Sequence, residues 1–323
     1  MGLAGRLPRW TRTLFTLFVA VTAVLAGAGS GAATSPQYRE YVALGDSFSA
    51  DVSLVTVSTE QVPLGCVQSA QNYPKQLARR LGVAVFRDAT CGSAKLEDMY
   101  APQDVNRLPG IGGINPPQLD RLTTRTDLVT LGISGNDVGL ISVATACINV
   151  LPPLVFAPGQ PPAAPHLGLP CQPQFVVNGV DTISQQIARA EPGLRQLVDV
   201  IRARAPHAEI ALVDYLNFVP TVGCFPYLLV LNEDVPWFRA KLVELNAMIA
   251  RVAAVEGVRF VDTSTGTGGH DVCQPPEAMW GQGVIPWSAS PPGPAIPFHP
   301  NQLGADHQAQ AVLGALGRAT LAS

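Results

Sequence analysis

The chain has 323 residues, 47% hydrophobic and 14% charged, with 30 Gly, 29 Pro and a formal net charge of −3. That much apolar side chain excludes intrinsic disorder, and glycine without a three-residue period excludes a collagen-like chain. A mildly acidic chain with no basic stripe lacks the phosphate-neutralising charge that nucleic-acid binding depends on, so nucleic acid is excluded as a partner.

The first segment reads as an address. Arg6, Arg9 and Arg12 precede an apolar run, Leu14 to Ala26, and small residues follow at Ala26-Gly27-Ala28 and Gly31-Ala32-Ala33. A basic start, a short apolar middle and a small-residue exit describe a secretory signal peptide. The run falls short of the ~20 residues needed to cross a membrane, so cleavage is expected in preference to a retained anchor. The expected organisation is therefore a signal peptide over 1–33 and a single folded domain over 34–323, exported from the cell.

Beyond the leader, Glu40 to Leu44 is a short run of strand formers stopped by Gly45. Tyr73 to Leu81 has helical spacing, with Asn72 as cap and Gly82 as stop. Val83 to Phe86 reads as a second strand, and Asp127 to Leu131 as a third that runs into a Gly/Ser/Asn turn. Thr182 to Arg204 keeps a helical pattern despite Pro192, and Ala208 to Val213 is a fourth strand. Phe238 to Val255 is an amphipathic helix with Leu242, Leu245, Ile249 and Val252 on one side. Val258 to Asp262 is a fifth strand, and Leu303 to Leu316 a closing helix. Strands alternating with helices imply an α/β fold of three layers, α/β/α, around a mostly parallel five-stranded sheet covered on both faces. The Pro-rich stretches Leu151 to Pro173 and Pro286 to Pro297 read as excursions from one domain. Val150, Leu151, Leu154, Val155 and Phe156 make the first a candidate flap over a site, although an ordinary packed loop is the stronger reading.

Cys66, Cys91, Cys147, Cys171, Cys224 and Cys273 all follow the leader, and an even number in an exported chain reads as disulfides. Sequence alone does not choose the connectivity. Pairing neighbours in order, Cys66–Cys91, Cys147–Cys171 and Cys224–Cys273, would staple three loop-rich stretches. A zinc site built on His270 and Cys273 is the weaker alternative, because neither CxxC nor HExxH occurs.

Reactive groups in open α/β sheets gather at the carboxyl ends of the strands. There the chain places Gly45-Asp46-Ser47, Cys91-Gly92-Ser93, Ser134-Gly135-Asn136-Asp137 and, near the C-terminus, Phe298-His299-Pro300-Asn301. Each alone is weak: a Ser after Gly-Asp is usually a helix cap, and an Asn after Gly usually a turn. Together, and in this order, they resemble the SGNH hydrolase family, also called the GDSL esterases and lipases, over nearly the whole chain after the leader. The resemblance implies Ser47 as nucleophile, His299 as base, and Gly92 and Asn136 as oxyanion-hole donors beside the Ser47 backbone N–H. It implies the flavodoxin-like version of the three-layer fold, disulfides paired in chain order, a small-molecule or lipid ester as substrate, and no metal or cofactor. Many members place an Asp three residues before the His. Here that position is Ile296, and the expectation is a Ser–His dyad oriented by a backbone carbonyl near Ile296, with Asp271 or Asp306 as the alternative.

Acyl transfer requires the same parts: a nucleophile, a base within reach, and donors aimed at the forming oxyanion. An unperturbed imidazole would set the acid limb of activity near pH ~6.5. The α/β-hydrolase elbow G-x-S-x-G is not matched, since Gly45-Asp-Ser-Phe-Ser49 and Gly132-Ile-Ser-Gly-Asn136 both lack the final Gly. A catalytically silent binding protein on the same scaffold is the non-enzymatic alternative. Transient contact with a lipid surface and a monomeric state complete the expectations.

Overall fold

A computed structural model of the protein describes residues 37–50, 54–106, 112–149, 168–225, 228–285, 287–289 and 292–317. The expected signal peptide and the candidate flap residues Val150 to Phe156 lie outside the described residues. Five parallel strands make the central sheet: β1 (Glu40–Gly45), β2 (Val85–Asp88), β3 (Leu128–Gly132), β4 (Glu209–Val213) and β5 (Arg259–Val261). Their spatial order is β2-β1-β3-β4-β5.

Alternate side chains of each strand enter different cores. Val42, Leu44, Val129, Leu131, Ile210 and Leu212 pack in one cluster with helices α4 (Thr182–Arg204) and α5 (Val235–Glu256). Tyr41, Ala43, Leu128, Ala211, Val213 and Val261 pack in the other with α2 (Tyr73–Leu81) and α6 (Gln302–Ala315). Burial on both faces is why these strands read as continuous apolar runs rather than as an alternation. Three layers result, as expected.

Helix ends follow local chemistry. The Asn72 side chain accepts the Lys75 N–H at 3.1 Å to open α2, and Gly82 closes it at φ 62. The Val83 N–H is drawn back to the Ala78 carbonyl, so β2 starts at Val85 rather than at Val83. Helix α5 begins three residues earlier than its apolar spacing suggests, because Pro236 sits in the first turn, where its missing N–H costs nothing. Among the described residues, three ribbons of two or three residues per strand, including Trp287–Ala289 paired with Pro292–Pro294 inside an expected loop, are too short to leave a periodic signal. The disulfides are Cys66–Cys91, Cys147–Cys171 and Cys224–Cys273, in chain order.

The strand order decides where a site can form. The chain leaves β1 toward one edge of the sheet and leaves β3 toward the other, so a crevice opens between their carboxyl ends.

Candidate active site

At the end of β1 the chain makes a tight turn. A Cβ on Gly45 would lie 2.6 Å from the Gly132 carbonyl oxygen and 2.7 Å from Ser49 Oγ, so a side chain has no room there. A single helical turn, α1 (Ser47–Ala50), follows at once. Asp46 caps it, with Oδ1 accepting the Phe48 N–H at 3.0 Å. Ser47 is thereby carried on the first turn of a helix, half-buried, and no described residue accepts its backbone N–H.

His299 arrives from the opposite end of the sequence. Its Nε2 lies 2.7 Å from Ser47 Oγ. Its Nδ1 lies 2.7 Å from the Pro297 carbonyl oxygen, so Nδ1–H donates there and Nε2 is left to accept the Ser47 hydroxyl proton. The orienting carbonyl is thus that of Pro297 and not that of Ile296. Phe298 turns at φ 59, which folds the carbonyl two residues back, rather than three, under the ring. With both ring nitrogens so engaged, Asp271, which accepts the Cys273 N–H, and Asp306, which accepts from Gln302 Nε2, make no hydrogen bond to His299. The loop is fixed by Gln282, whose N–H donates to the His299 carbonyl at 2.8 Å and whose carbonyl accepts the Phe298 N–H at 2.9 Å. Burial lowers the His299 pKa to about 4, against a smaller upward pull from the Pro297 carbonyl.

The turn Cys91 to Ala94, closed by the Ala94 N–H on the Cys91 carbonyl, stands beside Asn136. Asn136 Nδ2 donates to the Ala94 carbonyl at 2.9 Å, and Asp137 accepts the Leu96 N–H at 3.1 Å. The Gly92 N–H, however, donates to the Cys66 carbonyl at 2.9 Å. The Cys66–Cys91 disulfide holds that carbonyl against the turn, and the expected oxyanion donor is engaged inside the protein. Ser93, the next residue, has φ 61, and no described residue accepts its N–H. Ser134 sits at φ 104 with its hydroxyl buried and unpaired.

An apolar cavity adjoins Ser47 and His299, walled by Phe48, Leu140, Ile141, Ala144, Phe218, Phe238 and Leu242. Helix α3 (Leu140–Ala146) supplies one side of it. Tyr215, just past β4, also lines the cavity and touches both the Ser47 and the Asn136 turns. Ser93, Pro297 and Tyr215 carry no motif. Of the three, Tyr215 was accessible to the strand-end rule, since Asp214-Tyr215 follows an expected strand. His270 and His307 instead sandwich Trp280, with ring centroids 3.8 and 4.1 Å away. Cys273 is in a disulfide, and the described residues contain no cluster of three or more metal-binding side chains.

Attack on an ester carbonyl needs a hydroxyl in contact with a base and room for an acyl group, and the crevice supplies both: the class is that of the carboxylic ester hydrolases. The chain belongs to the GDSL-like Lipase/Acylhydrolase family, whose model matches residues 43–307. It is similar to Lipase 2 of Streptomyces coelicolor, 35% identical over 306 residues that make up 94% of this chain and 93% of that one. The Esterase of Streptomyces scabiei is 29% identical, covering 89% of each chain. Among solved structures, phospholipase A1 from Streptomyces albidoflavus superposes with a TM-score of 0.63 at 23% identity, over 87% of this chain and 98% of that one. The extracellular lipase from Streptomyces rimosus gives 0.58 at 24% identity, over 87% and 99%. These two superpositions show the shared fold.

Proposed function

We propose that the protein is a secreted serine esterase or lipase that cleaves carboxylic esters through a Ser47–His299 dyad and an acyl-enzyme. Ser47 Oγ attacks the ester carbonyl carbon while His299 Nε2 takes its proton. The tetrahedral intermediate collapses, the acyl–oxygen bond breaks, and Nε2 returns the proton to the leaving alcohol. Water then attacks the acyl-enzyme, again giving a proton to Nε2, and the acid leaves as Ser47 recovers its hydrogen. The Pro297 carbonyl holds the tautomer that this requires but offers imidazolium less charge stabilisation than a carboxylate would.

The oxyanion would take the Ser47 N–H, the second amide hydrogen of Asn136 and, in place of Gly92, the Ser93 N–H. The Gly92 carbonyl accepts Gln103 Nε2 at 2.9 Å, and the C=O and N–H of one peptide point in opposite directions. The Ser93 N–H is therefore turned away from Gln103, in the turn against which Asn136 lies.

The single observation that carries this reading is the 2.7 Å contact between Ser47 Oγ and His299 Nε2 across the length of the chain. It also argues against a silent binding protein, which has no use for an aligned hydroxyl and base. The apolar cavity favours an acyl chain over an acetylated sugar, and the lipase names of the relatives point the same way. Three disulfides and the leader over residues 1–33 support export, and a monomer suffices for the site. Exposed Leu54, Val55, Ile285 and Trp287 flank the Ser47 and His299 segments and suit transient contact with a lipid surface. Purified protein should turn over a short-chain nitrophenyl ester and be labelled at Ser47 by an organophosphonate. Ser47→Ala should abolish both, and residual labelling in that variant would remove Ser47 as the nucleophile.

A further inference from the structure

A buried tyrosine hydroxyl joins the nucleophile turn to the Asn136 turn. The Tyr215 O–H donates to Asp46 Oδ2, and its oxygen accepts the Gly135 N–H at 2.6 Å. Asp46 is the residue before Ser47, and its other oxygen already holds the first turn of α1 through Phe48. Gly135 is the residue before Asn136, and a Cβ there would lie 2.8 Å from the Tyr215 oxygen, which accounts for glycine at that place. The tyrosine is itself held at both ends. Its N–H donates to Asn246 Oδ1 at 3.0 Å, its carbonyl accepts Asn246 Nδ2 at 2.7 Å, and its ring meets Phe48 edge-on at 4.9 Å.

We propose that Tyr215 is a positioning residue whose hydroxyl, clamped between Asp46 and Gly135, sets the separation of the Ser47 hydroxyl and the Asn136 amide so that nucleophile and oxyanion donor are aligned before the substrate arrives. The proposal rests on the roles given above to Ser47 and Asn136. Donors fixed where charge develops are worth far more than donors that must reorganise, and a shift of about 1 Å in a reacting group can cost ~10²-fold in rate. Burial raises the Asp46 carboxyl to about 7, outweighing the downward pull of the Tyr215 donation.

The test uses the full purified chain, a nitrophenyl ester, and titration of active sites with an organophosphonate. Tyr215→Phe keeps the ring and deletes the hydroxyl. It should lower kcat per titrated site by roughly 10- to 100-fold and leave KM within about twofold. An unchanged kcat per titrated site overturns the proposal. So does a loss carried by KM, since that would mean a disturbed cavity wall rather than misaligned groups. Asp46→Asn opens the clamp from its other end and should give the same signature, which also decides the matter if Tyr215→Phe does not fold. Where both fold, the double variant should be no worse than the poorer single one, and additive losses would mean independent roles. Wild-type protein that neither turns over ester nor labels at Ser47 would sink the ester-hydrolase reading itself, a failure distinct from a Tyr215 variant that works normally per site.

Discussion

The imidazole of His299 is the residue on which the pH behaviour turns. An unperturbed ring would lose activity near pH ~6.5, but burial lowers this one to about 4. The base is then neutral above about pH 4, and kcat/KM should be flat from about pH 5 to 8 as far as His299 is concerned, falling only on further acidification. A His299 imidazole that titrates at about pH 6.5 by NMR in the wild-type protein would contradict this. Stability carries the opposite face of the same shift. Below pH ~6.5 the unfolded chain binds a proton that the folded imidazole refuses until about pH 4, so stability attributable to His299 is lost as pH falls through that window. Ser47, Asn136 and His299 were legible in the sequence only because their strand-end motifs, each weak alone, together carry the family resemblance. Pro297 was not, since which carbonyl reaches Nδ1 depends on the turn at Phe298.

At the scale of elements, α3 and β4 each lead to a measurable outcome. Helix α3 presents Leu140, Ile141 and Ala144 to the cavity, opposite Phe238 and Leu242 of α5. Ala144→Phe fills that space, so turnover of octanoyl esters should fall by roughly tenfold or more relative to acetyl esters. Equal losses on both would show that the acyl chain lies elsewhere. At the end of β4, Asp214 is buried, with Oδ1 held by the Thr263 N–H at 2.6 Å and Oδ2 unpaired. Burial raises its pKa to about 7. The folded state then keeps a proton that the unfolded chain has lost, and stability attributable to Asp214 falls as pH rises from about 4 toward 7. The melting temperature of Asp214→Asn should accordingly change less between pH 5 and 8 than that of the wild type, and a parallel curve would rule this carboxyl out. Helix and strand cores were legible here from periodicity. The start of α5 at Val235 and the start of β2 at Val85 were not, because a first-turn proline and a helix cap decided them.

For the whole molecule, the sheet and the three disulfides define what denaturation must undo. Cys224–Cys273 spans 49 residues and Cys147–Cys171 spans 24, about a doubling of the closed loop. Chain entropy assigns each bridge ~3–4 kcal/mol, with about 0.6 kcal/mol more for the longer loop. Replacing both cysteines of Cys224–Cys273 by alanine should therefore lower unfolding free energy in urea slightly more than the same change at Cys147–Cys171. A reversed ranking would mean that native contacts around the shorter loop outweigh its chain entropy. The pairing in chain order came with the family resemblance, whereas spacing alone left it open.

Composition and the alternation of strands with helices set the class of fold, and four strand-end motifs, through the family resemblance they carry together, singled out the proposed nucleophile, base and amide donor. They did so because those features are local, each written in a handful of neighbouring residues. The tertiary structure decided the rest: that Gly92 gives its N–H to Cys66, that Pro297 rather than Ile296 orients the base, and that Tyr215 joins the two turns. Each of these is a choice among backbone or hydroxyl groups with no side-chain signature of its own. Such choices are made only when segments as much as 169 residues apart, like Asp46 and Tyr215, are brought into contact by the order of the strands.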